Sequence, residues 1–279
     1  MAITFVQANG ASGQGGGAIS FTFAITTPLT AGNIAFIALA YTDNGIVPTT
    51  VVDNLGNTFA LLKRAIASGR GTDLWWCTGV AAGASTVTVT FTSGKSGVGI
   101  CGLEYAPTVG QTFTLDQQNN ASSAASVTSF PHGSITTTVA IELLLTVGRL
   151  NQSITVAAGY TARNNLVGSN SVTVMERITA ATETTNPTPT GAIGTGYGAM
   201  IVSLYEIVDA SIVQETQQHR KVLEIEADVP VFLTQLHRKV LYPFTCVPGP
   251  EPPGGGSAGC PAPLPLLPVT GDPGCADEV

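Results

Sequence analysis

Charge is the scarcest property of this 279-residue chain. Asp, Glu, Lys and Arg make up 10% of it, against about 25% in typical soluble domains. The first fifty residues hold one charged side chain, Asp43. This scarcity speaks against a highly charged helical enzyme. The net charge of −7 also excludes a broad basic surface, and with it non-specific nucleic-acid binding. Long apolar runs are missing too. The most apolar early stretch, Ile34 to Ala40, is far shorter than the roughly 20 residues that span a bilayer, so no membrane insertion is expected. Residues 1–20 lack a basic start and are interrupted by Gly13, Gly15, Gly16 and Gly17, unlike a secretory signal. A chain made in the cytoplasm that leaves a cell by lysis is expected. The five cysteines, Cys77, Cys101, Cys246, Cys260 and Cys275, form no Cys-x-x-Cys pair. A zinc or thioredoxin-like site is therefore not expected, nor is any other cofactor.

What is present is Thr, Ser, Gly, Ala and Val in strand-like order. Thr86 to Phe91 (TVTVTF) alternates β-branched residues with period two. Further strands are predicted at 19–26, 34–41, 58–66, 73–80, 98–105, 142–148, 171–178 and 200–208, with turns at Asp43–Gly45, Asn54–Asn57, Ala82–Gly83 and Ser93–Gly94. No amphipathic segment of helical length separates them. The pattern predicts an all-β protein whose residues 1–208 form an antiparallel β-sandwich or jelly-roll-like body. Residues 107–135 and 181–196, low in apolar side chains, read as long exposed loops. Cys77 and Cys101 lie in apolar runs and read as buried thiols.

The style changes after Val208. Residues 209–245 contain HRKVL twice, at 219–223 and 237–241, with four of the eleven basic residues and two of the three histidines. The copies share Gln217 with Gln235, His219 with His237, Arg220 and Lys221 with Arg238 and Lys239, and Val222 and Leu223 with Val240 and Leu241. Leu233, Leu236 and Val240 fit a helical spacing, whereas VLEIE alternates. Pro230 and Pro243 bracket a short segment, which favours an extended arm. Because side-chain order is duplicated along with charge, these residues read as paired docking elements, each raising the local concentration of the other. Residues 246–279 form a Pro/Gly tail of irregular or polyproline character. Cys246, Cys260 and Cys275 are disulfide candidates there, given an oxidising setting.

Motifs for chemistry are weak. SGKSG at 93–97 resembles the end of a P-loop, but Val89 stands where that motif needs glycine. It reads as a hairpin turn, and GQGGG at 13–17 as a flexible loop, since a strand follows it. His132 has no Gly-x-Ser-x-Gly partner and reads as a surface loop residue. Carboxylates are few, so paired acid–base catalysis is a minor alternative. Trp75 and Trp76 are adjacent and face opposite ways in a strand. One is expected in the core, and the other at an interface or in a sugar-stacking platform with Tyr41, Tyr160 or Tyr197.

Two stretches resemble known sequences. VVDNLGNTFALL (51–62), DLWWCTGVAAGASTVTVTF (73–91), GLEYA (102–106) and AAGYTAR (157–163) resemble β-sandwich domains of bacteriophage, prophage and bacterial surface sequences. FLTQLHRKVLYPF (232–244) resembles a duplicated TQ-x4-VL element near the C-termini of tailed-phage structural proteins. The first copy, VQETQQHRKVLEI (213–225), keeps these letters but departs from the second before them, with Glu215 where the second has Leu233. The resemblance implies a non-enzymatic virion structural protein (decoration, fibre or tail-attached), forming homo-oligomers and contacting other virion proteins. The alternative is a carbohydrate-binding module that recognises a host-surface glycan.

Overall fold

The computed structural model describes residues 3–208, apart from 15–16, 43–44, 68, 96, 151, 166–167 and 169. Of 12–14, 67 and 193–195 it describes the backbone alone. Residues 209–245 and 246–279 lie outside the described residues, and with them the docking positions Gln217 to Leu241 and the three tail cysteines.

Every regular element described is a strand, and every pairing is antiparallel. The first sheet has eight: β1 (Thr4–Gln14), β2 (Ala18–Ala24), β3 (Ile34–Thr42), β4 (Pro48–Asp53), β5 (Thr58–Ala67), β6 (Arg70–Thr78), β7 (Thr86–Lys95) and β8 (Val98–Ala106). Their order is β1-β8-β3-β6-β5-β4-β7-β2. This sheet curls nearly into a barrel, so its two edge strands approach each other. Side-chain amides bridge that seam. Asn9 Nδ2 donates to Ala24 O at 3.0 Å and to Thr26 Oγ1 at 2.8 Å. Gln7 Nε2 donates to Thr27 O at 2.9 Å, and its Oε1 accepts from Thr27 N at 3.2 Å. Two exposed edges, each a template for unwanted pairing, are thereby consumed by each other.

The remaining strands are β9 (Gln111–Ser129), β10 (Ile135–Thr136), β11 (Leu143–Arg149), β12 (Ile154–Thr155), β13 (Thr161–Asn165), β14 (Val172–Ile178), β15 (Thr184–Thr185) and β16 (Thr190–Val208). β10 and β15 pair with each other. The rest form a second sheet, ordered β12-β16-β11-β14-β13, with β9 along the other side of β16. Residues 111–129 and 190–196 are thus strand, where the sequence suggested loops. A backbone ladder to β16 carries β9 through QQNNASSAAS, because ladder bonds need no particular side chain.

Two cores explain the sequence pattern. Inside the curl lie Phe21, Phe23, Ile37, Leu39, Val87, Val89 and Phe91. Between the sheets lie Phe36, Ala38, Leu74, Leu103 and Tyr105 of the first and Leu143, Leu145, Val172, Val174 and Val202 of the second. β7 faces only the first core and alternates Val87, Val89 and Phe91 inward with Thr outward. β3 faces both cores, so IAFIALAY is buried throughout, the continuous apolar run expected of a two-sided strand. Gly71 of β6 leaves room for the Tyr41 ring. A Cβ at that position would collide with it.

Candidate functional site

The described carboxylates serve as hydrogen-bond hubs. Asp53 opens the turn between β4 and β5. Its Oδ1 accepts from Leu55 N and Asn57 N, both at 2.9 Å, and its Oδ2 from Asn57 Nδ2 and Ser85 Oγ, both at 2.8 Å. Gly56, at φ 87°, supplies the left-handed step that such a turn requires. Within VVDNLGNT (51–58), Asp53, Gly56 and Asn57 therefore have a physical role: together they close this hairpin. Glu104 is fully buried in β8. It accepts from Gln7 Nε2 at 2.6 Å, Thr30 N at 2.8 Å and Asn33 Nδ2 at 2.7 Å. The neighbouring Tyr105 donates to Glu176, which also pairs with Arg163, and the Arg163 guanidinium lies 3.5 Å from the Phe5 ring centroid.

Asp73 lies inside the curl with no exposure. Arg64 grips it through Nε and Nη2, the latter at 2.6 Å, while Tyr41 Oη and Trp75 Nε1 donate at 2.9 and 3.2 Å. A charge this deep is retained only when its partners are complete. Glu206 accepts from Thr108 N and Oγ1. In each hub the carboxylate is bound within the fold, an arrangement suited to holding loops and strands in place.

Asp116 of β9 and Glu142 before β11 lie close enough for each to perturb the other's titration. Burial, offset in part by Ser203 and Val139, raises Glu142 above its ordinary value. Asp116 is held low despite some burial, because Thr138 donates to it through Oγ1 at 2.7 Å and through N at 2.8 Å. The two Thr138 bonds tie that residue to β9. The open depression lined by Gly32, Asn33, Thr78, Thr108 and Gln111, about 420 Å³, contains neither carboxylate.

His132 is fully buried rather than on a surface loop. Phe130 anchors its segment over the outer face of the second sheet, in a small core with Leu150, Met175 and Tyr197. Its backbone runs along 187–189, with Phe130 N and His132 N donating to Pro189 O and Pro187 O, both at 3.0 Å. The ring Nδ1 lies 2.9 Å from Phe130 O, and burial pushes the imidazole down to about 4. Phe130, directly before Pro131-His132, was the available signal for an apolar anchor.

Trp75 is buried inside the curl. Trp76 faces the second sheet, half-buried and stacked on Phe36 with centroids 6.4 Å apart. Tyr41 is fully buried and Tyr197 nearly so, while Tyr160 is half-buried under Arg177. The fold does not gather these rings into one exposed platform. Cys101 is buried and Cys77 half-buried, both as free thiols, and burial raises both. Among the described residues no group of three His, Cys, Asp or Glu could hold a metal ion, and no helix is long and apolar enough to cross a membrane. No protein-family model, curated protein or solved structure matches the chain.

Proposed function

We propose that the chain is a non-enzymatic virion structural protein of a tailed phage, built as a decoration, fibre or tail-attached module. In this reading the two-sheet body is displayed on a particle, and residues 209–245 add strands to neighbouring subunits. Main-chain hydrogen bonds would give affinity, and alternating side chains would set register. The observation that carries the reading is the doubled TQ-x4-VL element, Thr216–Leu223 and Thr234–Leu241, beginning eight residues after β16 ends. Two features of the body support it. β16 ends beside the start of β9, with Val208 opposite Gln111. The second edge of β9 pairs with no strand in either main sheet among the described residues; residues 133–138 flank it only near 116–120, and the stretch after Asn120 would be the acceptor for an added strand. Its residues 117–129 carry no charge, and charge is a common guard on open edges.

Replacing both Arg-Lys pairs, Arg220–Lys221 and Arg238–Lys239, by alanine tests the role of the repeat. Incorporation into particles is expected to fall. Unchanged incorporation would contradict the proposal.

A further inference from the structure

The curled sheet is not evenly closed. β4 and β5 are neighbours in its order, yet among the described residues their ladder holds only two pairs, Val51 with Phe59 and Val52 with Thr58. Beyond that point the strands part. Pro48 and Thr50 pair with β7, and the stretch of β5 from Ala60 on pairs with β6. The second backbone edge of β5 is therefore without a ladder over most of its length. A side chain crosses the opening instead: Arg64 Nη2 donates to Pro48 O at 2.8 Å.

The two faces of this edge differ. Leu61 lies opposite Trp75, and Ile66 opposite Gly71. Both therefore face the inside of the curl, where Trp75 and the Tyr41 ring lie. They are nonetheless 41% and 43% exposed. Lys63 lies opposite Leu74, so it belongs to the other face, on the side of the inter-sheet core. Its ammonium has no hydrogen-bond or ion-pair partner among the described residues. An edge lysine guards against indiscriminate strand pairing. It still admits a strand that brings a carboxylate, and so discriminates between partners.

The sequence beyond β16 contains such a pattern. Residues 222–226 (VLEIE) alternate Leu223 and Ile225 with Glu224 and Glu226. In a strand this puts apolar side chains on one face and carboxylates on the other. The second copy reads VLYPF at 240–244. It brings no carboxylate, and Pro243 has no N–H to give to a ladder. Residues 209–221, if extended, reach at most about 45 Å, enough to cross to a neighbouring molecule.

We infer that the edge of β5 over residues 60–67 receives residues 222–226 of a second copy of this chain. Leu223 and Ile225 lie on the curl side beside Leu61 and Ile66, and the two glutamates lie beside Lys63. This pairing rests on the strand-adding arm proposed above: it names the acceptor for the first copy of the repeat and leaves the uncharged β9 edge to the second. A charge swap in the full chain tests it, with assembly followed by light scattering over a dilution series. Lys63→Glu is expected to raise the concentration of half-assembly about tenfold, and so is Glu224→Lys combined with Glu226→Lys. The triple variant should return to within about threefold of the wild type. If Lys63→Glu does not fold, Ile66→Asp, at an exposed position, carries the test and should weaken assembly to the same extent. Wild-type assembly in Lys63→Glu and Ile66→Asp, or no recovery in the triple variant, would overturn this acceptor. The arm itself survives that result if truncation at Val208 still abolishes assembly. A monomeric wild type would overturn both.

Discussion

β3 and β9 are both antiparallel strands of the same body, yet their sequences have almost nothing in common. β3 reads IAFIALAYT and is buried at every position but the last. β9 reads QTFTLDQQNNASSAASVTS, and most of its residues from Gln118 on are exposed. The contrast shows what a side-chain pattern reports. It records which faces of a strand are covered, and the strand itself is made by its ladder. β3 is covered on two faces by two cores. β9 is held by β16 along its backbone and at its flank by polar contacts, such as Asp116 with Thr138 and Asn119 Nδ2 with Ser134 O at 2.7 Å.

The contrast breaks most visibly in β3. Phe36→Ala removes a ring packed against Trp76 and Tyr105, and should cost about 3–5 kcal/mol in denaturant unfolding. A cost under about 1 kcal/mol would mean that the inter-sheet core is not tightly packed there.

The cover over the second sheet should make stability depend on pH through His132. Its imidazole is neutral in the fold down to about 4, whereas in the unfolded chain it takes a proton below about 6.5. Its contribution is therefore intact above 6.5 and falls as pH drops toward 4, by on the order of 3 kcal/mol. His132→Phe should flatten that part of the stability curve, as read by denaturant melts at several pH values. An unchanged slope would place the ring in water.

Glu142 titrates in the opposite sense. Raised by burial and by Asp116, it favours the fold most below its unfolded value. It loses that contribution as pH rises through the folded one. Glu142→Gln should raise the melting midpoint at pH 8 relative to the wild type and gain little at pH 4. The smallest effect belongs to β9 itself. Gln118→Ala, on an exposed stretch of the strand, should shift stability by no more than about 0.5 kcal/mol.

The strands legible in the sequence are those with an apolar face. Val87, Val89 and Phe91 announce β7 by alternation, and Leu143 to Val147 announce β11 by a continuous run. β1 (TFVQANGASGQ), β9 and β13 (TARNN) were not legible. Their pairing rests on backbone bonds and their side chains are small or polar, a composition shared with loops. The polar hubs were half legible. Asp53, Asn57, Glu104 and Tyr105 stood out as pattern letters, and the fold gives each a bonding role. The burial of His132 arises from segments far apart in the chain, and local spacing carries no record of it.

The central claim is that the chain assembles through residues 209–279. Light scattering on residues 1–279 and on a truncation ending at Val208 measures this directly. The account predicts a multiple of the chain mass for the full protein and a folded monomer for the truncation. Monomers of equal stability from both would contradict it.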